Sequence, residues 1–174
     1  MKYALTLEKL KSVPEGHLPN VMWQYYLDYS SHAERQGHWT PAKSREFDLS
    51  LPRGLRLVHS WTRFDGDILN GGITQYICNH TYEGRGEEVI EDLEALKTIG
   101  ADESAAILEQ AISVFSRYGW PGEPTEPVPD FGRLDEIEEL DRQRCNNESS
   151  RRDYKLLERY LREHLDECVC DGGA

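Results

Sequence analysis

Along most of the chain the hydrophobic residues stand three or four positions apart, with polar and charged residues between them. That period puts them on one face of an α-helix, whereas a half-buried strand would alternate them. Met22, Tyr25, Tyr26 and Tyr29 predict a first helix, with Asn20 as its candidate N-cap. Thr40-Pro41 predicts the start of a second, because proline suits the first helical position, and Pro52 with Gly54 closes it. Leu55, Val58, Trp61 and then Ile68 through Ile77 form the buried set of a third, which Gly66 is expected to interrupt near Asp65. Val89, Ile90, Leu93 and Leu96 predict a helix over 86–99, ended by Gly100 as a C′ residue. Ala105, Leu108, Ile112 and Phe115 predict another, capped by Asp102 and stopped at Gly119. Leu134, Ile137 and Leu140 predict one more. A last one carries Tyr154, Leu157, Tyr160, Leu161 and Leu165, with Ser149 and Asp153 in its first turn.

Two stretches depart from the pattern. Residues 121–130 hold Pro121, Pro124, Pro127 and Pro129, which predicts a stiff extended segment. The other is ILNGGITQYICN, residues 68–79. Its apolar residues sit at helical spacing, yet Gly71 and Gly72 each cost about 1 kcal/mol against Ala in a helix interior. The expected reason is a packing notch, where the missing Cβ lets a neighbouring helix come close. A phosphate-cradling loop would need G-x-G-x-x-G, or G-x-x-x-x-G-K-[ST] after a strand, and neither occurs. The expected class is therefore all-α: one compact domain over 1–174, with six or seven helices. Its core spans about 55–120, the Pro-rich segment lies at 121–130, and a C-terminal helical pair covers 133–168.

The composition, 38% hydrophobic and 30% charged, is that of a globular chain with a large wet surface. No run approaches the length of a membrane-spanning segment. The N-terminal MKYALTLEKLKSVPEG mixes charge with apolar residues and has no continuous apolar core, so a cytoplasmic location is expected. Cys78, Cys145, Cys168 and Cys170 are too scattered for a disulfide framework. Cys168-Val-Cys170 lacks the spacing of a zinc knuckle even with His164 one turn before it, so no metal is expected.

Charge changes the picture more. The net is −12, and residues 83–141 alone carry 4 Lys+Arg against 17 Asp+Glu. Residues 1–82 net +1 and residues 142–174 net zero. A field so concentrated repels nucleic acid and anionic membranes and attracts basic surfaces. Glu87, Glu91 and Glu94 fall on one helical row, with Glu88 and Asp92 on the next. Glu83, Asp102 and Glu103 flank them, and Asp135, Glu136, Glu138, Glu139 and Asp141 form a second cluster. Carboxylates four apart on a helix are separated by roughly 6 Å along its axis. Duplex DNA presents one charge per about 1.7 Å, a density that two adjacent helices and a dimer mate could approach. A polar helix face needs acids only to be wet, but like charges at i, i+4 repel by a few tenths of a kcal/mol. Glu87 with Glu91, and Glu88 with Asp92, are expected to repel in that way, so a basic partner would explain them better than solvation does.

The segment NGGITQYICN, a helix that ends in Ile99-Gly100-Ala101, and the following Ala105, Ala106 and Leu108 together resemble a bacterial domain family of largely uncharacterised proteins. Its best-known member is a DNA mimic. The motif positions here are Asn70, Gly71, Gly72, Gln75, Tyr76, Asn79 and Gly100, with Ile73 where the family usually has an aromatic. The resemblance covers about 55–120. It implies an all-α fold and, in the DNA-mimic member, an acidic surface that occupies the DNA site of a basic protein. No H-E-x-x-H, nucleophile elbow or carboxylate pair beside a glycine-rich loop is present. His59 and Trp61 are expected to pack together. The expected function is a non-enzymatic binding protein without cofactor, whose acidic surface engages a basic DNA-binding protein. An immunity protein that neutralises a basic toxin such as a nuclease would show similar surface chemistry, and a helical domain with no charged partner is the plainest reading.

Overall fold

The computed structural model describes residues 4–35, 37, 40–82, 86–121 and 134–170. Within them the chain is all-α. In order the helices are α1 (Leu7–Ser12), α2 (Leu18–Arg35), α3 (Pro41–Ser50), α4 (Arg53–Tyr82), α5 (Gly86–Thr98), α6 (Asp102–Ser116), α7 (Asp135–Arg144) and α8 (Asn147–Glu163), followed by a 3₁₀ turn at Leu165–Cys168. The C-terminal helical pair is α7 and α8. Apart from Pro121, the Pro-rich segment 121–130 lies outside the described residues. No helix among the described residues is long and apolar enough to cross a membrane.

Helix ends follow local chemistry, not always at the expected residue. Thr40 caps α3, its hydroxyl accepting from the Lys43 amide at 3.3 Å, with Pro41 at the start of the helix. Gly100 takes φ 76°, and the amides of Gly100 and Ala101 close α5 onto the carbonyls of Lys97 and Leu96. Three expectations fail. Asn20 lies inside α2, which already starts at Leu18. The N-cap of α6 is Ala101, not Asp102. Helix α4 runs through Gly66 and breaks instead at Gly72.

The chain forms two compact units. One combines Met1–His59 with Tyr154–Ala174, and its buried residues include Leu10, Leu18, Met22, Leu55, Leu157 and Leu161. Leu5 and Cys170 exchange two backbone hydrogen bonds, of 2.8 and 3.0 Å, which joins the two sequence ends of this unit. The buried carboxylate of Glu158 accepts from the amides of Gly16 (3.2 Å) and Leu18 (2.9 Å), so it satisfies orphan donors at the start of α2. Tyr26 stacks on His59 and donates to Asp48 at 2.9 Å. His59 thus packs with Tyr26 and Trp23.

The other unit is Ser60–Asp153. Its core is built from Phe64, Ile68, Ile73, Tyr76, Ile77, Val89, Leu96, Leu108, Phe115 and Ile137. Helix α6 packs against both α5 and α7. Ile90, expected on the buried face of α5, is exposed.

Candidate interaction surface

The acidic positions read from the sequence divide into three groups. Glu83 lies outside the described residues. Most of the rest stand on the wet sides of α5, α6 and α7. On α5, Glu87 and Glu94 are exposed and Glu91 is half-buried. The Glu94 carboxylate is 3.9 Å from Lys97, whose ammonium sits closer to Glu109 of α6, at 2.6 Å. Asp102 and Glu103 are exposed in the first turn of α6, where the helix dipole favours negative charge. Glu103 pairs with Arg152. On α7, Asp135, Glu136 and Glu138 are exposed. Glu136 meets Arg117 at 2.7 Å, and the half-buried Glu139 meets Arg142 at 2.5 Å. Glu87, Asp102, Asp135 and Glu138 have no ion-pair partner among the described residues. Exposed pairs of this kind contribute about 0–1 kcal/mol and are screened by salt, so they hold these carboxylates only loosely.

Glu88 and Asp92 must be removed from that surface. Both are buried, and they do not repel unpartnered as expected, because Arg63 of α4 reaches between them. Its guanidinium donates to Glu88 at 2.6 Å and to both Asp92 oxygens at 2.5 and 3.0 Å. The Tyr76 hydroxyl adds a bond to Asp92 at 2.7 Å. Burial pushes the Asp92 carboxyl above the usual range, against the pull of Arg63 and Tyr76. Burial also works against the Arg63 charge, but Asp92 and Glu88 outweigh it and hold the guanidinium protonated. Tyr76 is pushed well up by burial and by Asp92, so it stays a donor. The buried His80 ring packs edge-on to Tyr76, with Glu88 at 3.5 Å and Asp67 at 3.8 Å from its nitrogens.

Asp141, half-buried, is committed to the fold as well, and in that role it explains the glycine pair. Gly72 has φ 75° and ψ −179°, a region open almost only to glycine. A Cβ there would lie 2.8 Å from the Asp141 carboxylate, which accepts from the Ile73 amide at 2.7 Å and so caps the second arm of α4. The break also brings Gln75 back over Gly71, where a Cβ would meet the Gln75 Cβ at 2.9 Å and its amide oxygen closer still. The pair is thus an elbow capped by a carboxylate: at Gly72 the missing Cβ makes the expected room for a neighbouring helix, α7, whose Asp141 fills it, whereas the close atoms at Gly71 belong to Gln75 of α4 itself. The motif splits accordingly. Gly72 and Tyr76 are buried and structural, Gly100 ends α5, Asn79 is half-buried, and Asn70, Gly71 and Gln75 are exposed.

A second buried cation completes the interior. Arg144, fully buried at the end of α7, donates to Asp65 at 2.7 Å and lies 3.3 Å from Asp153, with its guanidinium 4.9 Å from the Phe64 ring centre. Ser150 donates to Asp65 and Ser104 to Asp153. Burial raises the Asp153 carboxyl, opposed by Ser104 and Arg144. Neither arginine was singled out from sequence. The available signal was position: Arg144 falls four and seven residues after Leu140 and Ile137, on the inward face of α7. Among the described residues no three His, Cys, Asp or Glu side chains converge as metal ligands would.

Residues 49–164 match the family model described as DMP19-like protein. No curated protein and no solved structure matches the chain.

Proposed function

The chain belongs to the DMP19-like family, the DNA mimic protein 19 family, and from that premise we propose that it is a non-enzymatic binding protein whose acidic surface takes the place of DNA on a basic DNA-binding protein. The observation that carries the reading is the segregation of charge. The Ser60–Asp153 unit has 9 Lys+Arg against 21 Asp+Glu, whereas the other unit has 11 against 11. The binding face is formed by Glu87, Glu91 and Glu94 on α5, Asp102 and Glu103 on α6, and Asp135, Glu136, Glu138 and Glu139 on α7. Loose surface pairing lets those carboxylates exchange an internal cation for a partner's lysine or arginine at little cost.

The test combines salt, competition and charge reversal. DNA-binding proteins retained by the immobilised chain at low salt should be released by about 0.5 M salt, where the Debye length shrinks to a few Å. Duplex DNA should displace them as well. Glu87→Lys, Glu91→Lys and Glu94→Lys together should weaken retention by roughly tenfold or more, mainly through the association rate. Retention indifferent to salt, to DNA and to the triple reversal would leave the acidic rows merely solvated.

A further inference from the structure

Helix α7 touches α4 on both sides of its break. Before the break, Arg144 binds Asp65 at 2.7 Å, and the Cys145 thiol donates to the Ile68 carbonyl at 3.5 Å. After it, Asp141 accepts from the Ile73 amide at 2.7 Å. Asp141 and Arg144 are separated by only about 4.5 Å of helical rise, while Asp65 and Ile73 would stand about 12 Å apart on an unbroken helix. The Gly72 conformation lets contact points so far apart meet one short segment. Burial, with Asp141 beside it, pushes the Cys145 thiol up to about 12, so it keeps the proton that it donates.

We propose that α7 is a brace across the α4 elbow, and that Asp141 is a positioning residue that transmits the docking of α7 through the second arm of α4 to Asp92 of α5, the carboxylate that Arg63 of the first arm holds. The relay is short. Asp141 holds Ile73, and one turn later Tyr76 donates to Asp92 at 2.7 Å. His80, a further turn on, packs against Tyr76 and faces Glu88. An event that lifts or presses α7 is therefore felt at α5, on a helix that α7 need not touch. This inference stands without the DNA-mimic reading, since it concerns the chain alone.

Amide hydrogen exchange on the full chain tests it. Asp141→Ala should speed exchange at Ile73–Ile77 by about tenfold, the scale of a lost helix cap, with a smaller gain at Val89–Leu93. Residues 55–59 of the first arm, which precede Arg63, should be unchanged. Asp141→Asn keeps an acceptor oxygen and should stay near the parent. In a Tyr76→Phe background the alanine change should no longer reach α5. Should the alanine variant fail to fold, Asp141→Ser, a shorter acceptor, carries the same comparison. The proposal is overturned by gains confined to 137–145, by gains spread evenly over every helix of the unit, by an asparagine variant that matches alanine, or by a signal that still reaches α5 without the Tyr76 hydroxyl.

Discussion

The two units handle charge in opposite ways. In the neutral one, polar side chains finish the backbone: Glu158 meets the amides that open α2, and Thr40 meets the first turn of α3. Its Arg53, paired with Glu167 at 3.4 Å, is half exposed. In the acidic unit, two of the nine cations, Arg63 and Arg144, are spent on the interior with Glu88, Asp92, Asp65 and Asp153. Those six residues net −2, so the remainder of the unit still carries −10. A cation shut inside cannot screen a surface. Counting charges along the chain measures a protein's total field, but where the arginines are buried decides how much of it solvent and partners meet.

That contrast can be broken first at its strongest point. Arg63→Ala strands Asp92 and Glu88 in the interior and should destabilise the protein by about 3–5 kcal/mol. The corresponding loss in the neutral unit, Glu158→Ala, should cost about 1.5–3 kcal/mol, the scale of hydrogen bonds to a charged group. Urea unfolding monitored by circular dichroism measures both, and equal losses would erase the distinction. Acid should sharpen the comparison. Asp92 and Asp153 have carboxyls raised by burial, so the folded state binds their protons more tightly than the unfolded chain does. Their contribution therefore grows as pH falls toward the raised values and is lost as pH rises through them. The melting midpoint should hold or rise as pH is lowered from neutrality toward the ordinary carboxylate range near about 4, and Asp153→Asn should flatten that trend. The smallest effect belongs to the surface. Arg117→Gln, which releases Glu136, should change stability by about 0–1 kcal/mol and leave partner binding intact or stronger.

Much of this was legible in the chain. The helical period located most of the core, from Met22 and Leu55 to Leu108 and Leu161, because burial on one face is a local, repetitive constraint. Thr40-Pro41 and Gly100 were legible because capping needs only a few adjacent residues. Gly72 was visible as an anomaly but not as an elbow, because its reason, Asp141, lies 69 residues away. Glu88 and Asp92 looked like Glu87 and Glu91 for the same reason. A repeat of acids on one helix does not reveal that an arginine from another helix will close over two of them. The exposed rows of α5, α6 and α7 were legible as acids at outward positions, and Ile90 was misplaced because the inward stripe there is filled by Glu88, Val89, Asp92 and Leu93.

The backbone bridge between Leu5 and Cys170 carries a consequence for how the protein is made. The neutral unit draws on both flanks of the sequence, and the acidic unit is a single continuous stretch set between them. During translation every residue of the acidic unit has been joined to the chain before the strap that completes its companion exists. The half-built neutral unit must then wait, with the amides of Gly16 and Leu18 still lacking Glu158 and Leu5 still lacking Cys170, until the ribosome has delivered α8 and the turn after it.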